Sequence, residues 1–107
     1  MPQPHYSTRN LLRETLEYLG THGIRTEDIR GATRAGKLCS WADFARMADR
    51  DYLAGGYGVH PSLVLIGDGW WIERGRDAGG EWWQIRRAPT LPTGGPPLQS
   101  SDIFQNG

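Results

Sequence analysis

The segment "IGDGWWIERGRDAGGEWWQIRR", Ile66–Arg87, decides the fold that we expect for this chain of 107 residues. It holds four of the five tryptophans, in the adjacent pairs Trp70-Trp71 and Trp82-Trp83. Neighbouring side chains of a β-strand point to opposite faces of the sheet, so each pair places one indole on either face. The segment therefore predicts two adjacent strands with one apolar face and one mixed face.

Turn signals set the expected pairing of these strands. The Asp-Gly dipeptide at 68–69 favours a two-residue hairpin turn, and it follows the apolar run "SLVLI". The glycine-rich segment 75–80 is predicted as a six-residue loop. With these turns, Leu65 lies opposite Ile72, and Ile72 lies opposite Trp83.

The two faces of this predicted three-stranded sheet differ in character. The face expected to pack on helices carries Leu63, Leu65, Trp70, Ile72, Trp83 and Ile85. The opposite face carries Val64, Ile66, Trp71, Glu73, Trp82, Gln84 and Arg86. Two indoles on this second face would leave a large apolar area open, so either it is a binding surface or it is covered. The cover could be the C-terminal tail, the glycine-rich connector or a second copy of the chain.

Two helices are predicted before the sheet. The leucines of "TRNLLRETLEYLG" recur at helical spacing, and Ser7 or Thr8 is the expected N-cap. The second helix follows Ser40 in "CSWADFARMADRDY", where the capping hydroxyl, an acidic residue three positions later and flanking apolar residues mark its start. The intervening "IRTEDIRGATRAGKL" is predicted as an irregular connector with at most one short helix or strand.

These elements predict the α+β class: two helices packed on one face of a three-stranded antiparallel meander. Residues 1–89 are expected to form a single compact domain, with a glycine-rich connector at 53–61. Residues 90–107 have the proline, glycine and serine content of a flexible tail.

Composition excludes several classes of function. Twelve basic and twelve acidic residues leave no net charge to attract nucleic acid, membrane or an acidic substrate. The single Cys39 permits no intramolecular disulfide, which favours a reducing cytoplasm. The N-terminus lacks the pattern of a signal peptide, and the longest apolar run, "LVLI", is far too short to span a membrane.

No catalytic, metal or cofactor motif is recognisable. The three histidines are scattered, and with one cysteine there is no metal-ligand spacing, so we expect neither a metal site nor a cofactor. Glu73 is expected to pair with Arg86 or Arg74, and Glu81 with Arg74 across the hairpin. A small hydrolase using Glu73 or His60 is an alternative that these pairings disfavour.

The residues instead favour a non-enzymatic protein-binding module, either monomeric or dimeric. Its predicted contact surface comprises Trp71, Glu73, Trp82, Gln84 and Arg86, with Arg74, Arg76 and Asp77 at the rim. One alternative is a single-stranded nucleic-acid binder that stacks bases on the tryptophans beside four hairpin arginines, although acidic residues are interleaved among them. Another is a homodimeric phage structural protein that buries the mixed face against its own copy.

A run from the second helix to the end of the hairpin resembles small proteins encoded by bacteriophages and prophages. The matching positions are Ser40, Trp41, Gly56, Tyr57, Gly58, Gly67, Asp68, Trp70, Trp71, Glu73, Arg74, Glu81, Trp82 and Trp83. The loop at 75–80 departs from their pattern. The resemblance implies a phage or mobile-element protein in the bacterial host cytoplasm that binds a host machine stoichiometrically. The most specific hypothesis that the resemblance implies, by analogy, is steric inhibition of a defence complex such as a CRISPR–Cas effector.

Overall fold

A computed structural model describes residues 8–54, 58–89 and 94–105, which form a mixed α and β structure. The described strands are β1 (Thr8–Asn10), β2 (Gly31–Arg34), β3 (Lys37–Cys39), β4 (Asp51–Leu53), β5 (Val64–Ile66), β6 (Trp70–Asp77) and β7 (Gly80–Arg87). The described helices are α1 (Leu11–Thr21), α2 (Trp41–Ala48) and α3 (Ser100–Ile103), with a 3-10 turn at Thr26–Asp28.

The main sheet is antiparallel and has five strands in the order β3-β2-β5-β6-β7. The predicted meander β5-β6-β7 is present, but the expectation of three strands is wrong. The segment taken for an irregular connector folds into the hairpin β2-β3, and β2 pairs with β5. A separate two-stranded sheet joins β1 to β4, so the glycine-rich connector begins at the end of a strand.

A left-handed backbone turn explains why the hairpin β2-β3 escaped prediction. Ala35 and Gly36 connect the strands with φ values of 52° and 79°. A two-residue hairpin turn of this kind needs positive φ at both positions, where asparagine, aspartate or glycine is the usual first residue. Alanine seldom adopts that conformation, so "RAGK" carries only half of the usual turn signal.

The helices begin at residues with capping side chains. Ser40 accepts a hydrogen bond from the Asp43 amide at 3.1 Å, which confirms the predicted N-cap of α2. The N-cap of α1 is Asn10, which accepts from the Arg13 amide at 3.0 Å. The expected cap at Thr8 is wrong because that residue belongs to β1, and Ser7 lies outside the described residues.

Both long helices pack on one face of the sheet, called here the inner face, as expected. The buried core comprises Leu19, Ile29, Ala32, Phe44, Ala48, Leu65, Ile72 and Trp83, and Leu63, Trp70 and Ile85 pack against it. All six side chains predicted to face the helices therefore do so. Alternation along the strands placed them correctly because the period of two does not depend on where the turns fall.

The hairpin β6-β7 is longer than predicted. The strands continue to Asp77 and Gly80, so the connection is a two-residue turn, and Asp77 Oδ1 accepts from the Gly79 amide at 2.7 Å. Ile72 consequently pairs with Ile85, two positions from the predicted partner Trp83. A shift of two residues keeps every side chain on its face, whereas a shift of one would have exchanged the faces.

Strand β7 forms one edge of the sheet, and side chains occupy two of its outward backbone groups. The Ile85 amide donates to the Tyr18 hydroxyl at 2.6 Å. The Glu81 carbonyl accepts from Arg9 Nη1 at 3.3 Å. These contacts obstruct pairing with a strand from another molecule, a common liability of long edge strands.

The C-terminal segment, predicted as a flexible tail, contains the one-turn helix α3. The Gln99 amide donates to Asp102 Oδ2 at 2.8 Å, and the Phe104 amide donates to the Ser100 carbonyl at 3.1 Å. All residues of 94–105 are exposed, including the apolar side chains of Leu98, Ile103 and Phe104.

Packing around Gly67 yields a stability prediction. A Cβ at this position would lie 2.0 Å from Cε2 of Trp70, so the indole leaves no room for any side chain. Gly67→Ala is expected to lower the free energy of unfolding by about 1–3 kcal/mol, because the half-buried Trp70 ring must move. Urea unfolding followed by circular dichroism measures the change.

Gly20→Ala is the matched control for this substitution. Gly20 lies in α1 with no atom within 4 Å of an added Cβ. The same alanine there is expected to raise stability by about 0.5–1 kcal/mol, since glycine is a poor helix former. Equal effects of the two substitutions would contradict the packing of Trp70 against Gly67.

Candidate functional site

The face of the sheet opposite the helices, called the outer face, carries the candidate binding surface. Strand register places Thr33, Val64, Glu73 and Gln84 in one row across β2, β5, β6 and β7, and Gly31, Ile66, Trp71 and Arg86 in the next. The Gly75-Trp82 pair lies farther along β6-β7, and Leu38 faces Thr33 at the opposite edge. The structure thus brings Trp71, Glu73, Trp82, Gln84 and Arg86 onto one face, as predicted.

Trp82 lies flat across the outer face. Its indole covers Gly75 on the paired strand, where an added Cβ would be 2.6 Å from the indole Nε1. The residue remains 39% exposed. Glycine in the middle of a strand usually marks a close approach, and here it lets a large aromatic ring lie against the sheet. The exposed face of the ring is therefore held in a fixed position.

Leu38 forms a similar arrangement at the other edge. Its Cδ1 would be 2.9 Å from a Cβ built on Gly31, so this side chain also lies across a glycine. Leu38 is 74% exposed and Ile66, on the central strand, is 38% exposed. Both positions add apolar area to the predicted surface. Leu38 could not have been assigned from sequence because strands β2 and β3 were not predicted.

An ion pair lies between these apolar regions. Arg86 Nε donates to Glu73 Oε1 at 2.7 Å, and both side chains are partly exposed. This contact confirms the first of the two partners expected for Glu73. The outer face consequently presents apolar side chains around one compensated pair of charges.

Arg74 is not at the rim of this surface, contrary to the sequence-based prediction. Its side chain is 0% exposed, on the inner face of β6 opposite Trp83. Strand alternation places Arg74 on the same side as Trp70 and Ile72. Its guanidinium finds partners inside the protein.

Three elements supply the partners of Arg74. Its Nη1 donates to Glu14 Oε2 of α1 at 2.9 Å, and its Nη2 donates to the Tyr52 hydroxyl of β4 at 3.2 Å. Nη2 also contacts Glu81 Oε1 of β7 at 3.4 Å, which confirms the predicted cross-strand pair. The guanidinium carbon lies 4.7 Å from the centroid of the Trp83 ring, within range of a cation–π interaction.

The other two residues predicted at the rim, Arg76 and Asp77, lie in different places. Arg76 is on the inner side of β6, where Nη2 lies 3.4 Å from Glu81 Oε2 and donates to the Val59 carbonyl at 3.3 Å. Its predicted place beside Trp82 is therefore wrong, since strand alternation points the two side chains to opposite faces. Asp77 is exposed at the hairpin turn, consistent with a rim position.

Trp83 connects this ion network to the core. Its indole Nε1 donates to the Thr15 hydroxyl at 2.9 Å, and that hydroxyl donates to the Leu11 carbonyl at 2.7 Å. Both residues are buried. The inner tryptophan of the second doublet thus has a complete structural role, and only the outer one presents open area.

Tyr52 is the titratable group most affected by the network. Burial raises the pKa of its hydroxyl, and the hydrogen bond that it donates to Glu14 raises it further, while Arg74 acts in the opposite direction. At the Asp68-Gly69 turn, the hydrogen bond from Arg30 lowers the pKa of Asp68. These shifts follow from ion pairing and burial, and neither group faces a cleft with a nucleophile.

The described residues contain no group of three or more histidine, cysteine, aspartate or glutamate side chains that could hold a metal ion. A cleft of about 370 Å³ lies between α1, α2 and β4, and its lining includes Leu11, Met47, Leu53 and Val59. Tyr52 also lines it, but its hydroxyl is already engaged by Glu14. The charged side chains of Arg50 and Asp51 also line the cleft.

None of the helices among the described residues is long and apolar enough to cross a membrane. No protein-family model matches the sequence, and no curated protein or solved structure matches it. The resemblance to phage-encoded proteins accordingly stays a prediction.

Burial of the Arg74 network yields a second prediction. Arg74→Met is expected to lower the free energy of unfolding by about 3–5 kcal/mol, because Glu14 and the buried Glu81 lose their shared cation. Arg86→Met is the matched control on the same hairpin, where the pair is half exposed, and should cost less than about 1 kcal/mol. Urea unfolding measures both.

If Arg74→Met does not fold, the double variant Arg74→Met/Glu81→Gln provides a second measurement. It removes one charge of each sign from the network and should recover part of the lost stability. Failure of the double variant to fold would contradict charge imbalance as the cause.

The pKa shift of Tyr52 predicts a loss of stability in alkali. Because the folded-state pKa lies above the unfolded value of about 10, its contribution is complete below that pH and is lost as pH rises through the folded value. The free energy of unfolding should therefore decrease above about pH 10. Tyr52→Phe should show a shallower decrease in chemical denaturation at stepped pH, and an unchanged slope would exclude Tyr52 as the source.

Proposed function

We propose that this chain is a non-enzymatic protein-binding module whose contact surface is the outer face of its sheet. A single observation carries the proposal: Leu38, Ile66 and Trp82 are exposed on one face of a sheet whose other face already holds the core. Large apolar side chains exposed together on one face of a small protein are typical of an interaction site. Tryptophan and arginine are also the residues that most often dominate binding energy.

The structure supports a rigid surface rather than an adaptable one. Trp82 and Leu38 lie across glycines of the neighbouring strands, which limits the rotamers that each can adopt. A side chain held before binding loses less conformational entropy when the partner arrives. The matching partner surface would be apolar, with a carboxylate or cation placed to meet the pair Glu73-Arg86.

The context of this binding follows from the resemblance alone. On that basis the partner is a host protein complex of the bacterial cytoplasm, for example a CRISPR–Cas effector, which the chain would inhibit by occluding a functional surface. The contact set proposed here is Leu38, Ile66, Trp71, Glu73, Trp82, Gln84 and Arg86, with Asp77 at the rim. Arg74 and Arg76 are left out because both lie on the inner side of β6.

The distribution of charge does not favour the nucleic-acid alternative. A groove that follows a phosphate backbone needs cations free of competing carboxylates. Arg86 is bonded to Glu73, Arg76 contacts Glu81, and Arg74 is buried. Of the four hairpin arginines, this leaves the exposed Arg87 as the one without an ion pair among the described residues. Binding of an oligonucleotide at low salt that weakens steeply as salt is added, and is lost on Arg86→Ala, would instead support that alternative.

Substitution of Trp82 tests the proposal directly. Affinity capture from bacterial lysate, followed by reconstitution with the purified partner, would first define a binding pair. Trp82→Ser should then weaken binding by at least about 30-fold, as expected for a central anchor worth 2 kcal/mol or more. Leu16→Ser, at an exposed leucine of α1, is the matched control and should bind normally.

Gly75→Ala provides an independent readout because it does not remove any contacting group. The added Cβ displaces the Trp82 ring from the strand, so binding should fall although the indole is retained. Circular dichroism must show that both variants fold. Normal binding by both would overturn the assignment of the outer face, and a mass in solution of twice the chain, lost on Trp82→Ser, would favour the homodimer.

A further inference from the structure

Both the C-terminal segment and the outer face of the sheet expose apolar side chains. Residues 94–105 are exposed throughout, with Leu98, Ile103 and Phe104 among the largest exposed apolar groups of the described chain. Sequence positions 89–107 contain no lysine or arginine, and Asp102 is their only charged side chain. Docking of this segment on the outer face, where the charges of Glu73 and Arg86 compensate each other, would therefore bury few charged groups.

We infer that the segment Leu98–Phe104 docks on the outer face of the same molecule and acts as an intramolecular cap. This inference rests on the outer face being the contact surface proposed above. It adds a regulatory contact: a partner binds only when the cap is displaced. In the structure, residues 94–105 and the outer-face side chains Leu38, Ile66 and Trp82 are exposed.

The position and length of the connection allow this contact. The chain leaves the sheet at Ala88, whose amide donates to the Gly69 carbonyl at 2.8 Å. The nine residue steps from Pro89 to Leu98 can span at most about 30 Å. Trp82 lies six residues before Ala88, about 20 Å along β7, and the far edge strand β3 lies four strand spacings away, about 19 Å. Every part of the outer face is therefore within reach.

Local structure in the segment reduces the entropic cost of docking. Reciprocal hydrogen bonds between Gln99 and Asp102 close the turn of α3, at 2.8 and 3.0 Å. This turn places Ile103 and Phe104 next to each other at its end, with Leu98 just before it. A preformed turn loses less freedom on binding than an irregular peptide. A short tether also gives an effective concentration in the millimolar range, which favours the face of the same molecule over that of a second copy.

A paramagnetic label on the segment tests this inference in the full-length chain. A nitroxide is attached at Ser101→Cys in a Cys39→Ala background, or Cys39→Val if the alanine variant does not fold. Amide and indole resonances of Ile66, Trp82 and Gln84 should lose intensity relative to the reduced label, while those of α2, on the inner face, should not. Dilution of the labelled protein into unlabelled, isotope-enriched chain should abolish the loss, because the contact is intramolecular.

The triple variant Leu98→Ser/Ile103→Ser/Phe104→Ser should remove the intensity loss, and Gln105→Ser is the matched control that should keep it. Absence of any loss on the outer face, or a loss that the triple variant leaves unchanged, overturns the inference. A loss that persists in the diluted sample shows docking on a second copy and overturns it as well.

The outcome is distinguishable from failure of the proposed function. If the cap exists, the triple variant should bind the partner more tightly than the native chain, by the reciprocal of the open fraction. If Trp82 does not contribute to partner binding, the label still reports whether the segment docks. If the native chain binds the partner and the triple variant binds it with the same affinity, the result supports the proposed function and contradicts the cap.

Discussion

A fully buried guanidinium, that of Arg74, constrains how the elements of this protein are arranged. Its charge is compensated inside the protein by Glu14 of α1 and Glu81 of β7, and the Tyr52 hydroxyl of β4 accepts another of its hydrogen bonds. The first helix, the small two-stranded sheet and the hairpin must therefore meet at one point. Removal of the Arg74 guanidinium itself would take the shared cation from both carboxylates in a region that water cannot easily reach, and the cost would exceed that of an unpaired surface charge.

In the hairpin β6-β7, charged side chains are buried on one face while a large apolar side chain is exposed on the other. The inner face buries Arg74 and Glu81, whereas the outer face exposes Trp82. The indole over Gly75 shields the backbone of that glycine and stabilises the strand pair, while the outward side of the ring stays exposed. The proposed contact surface would use the exposed side of this ring together with Ile66.

Sequence patterns predicted the parts of this structure that depend on alternation and capping. The doublets Trp70-Trp71 and Trp82-Trp83 divided between the faces as expected, even though the register of their strands was shifted by two. The hairpin β2-β3 was missed because Ala35 adopts a positive φ that its residue type does not signal. Five of the eight predicted surface residues share the outer face, whereas the burial of Arg74 required knowledge of Glu14 and Tyr52, which are distant in sequence.

The two members of the second tryptophan doublet therefore lie in different environments. Trp83 is satisfied by Thr15, by Arg74 and by the core, so it needs nothing from outside the domain. Trp82 is fixed against Gly75 but keeps one ring face open, and water must cover that face whenever nothing else does. Apolar area held in place before binding raises affinity for a partner and raises the tendency to self-associate by the same physical effect. A protein with such a surface gains from a tethered apolar segment that can cover it, and residues 98–104 provide one at the correct distance along the chain.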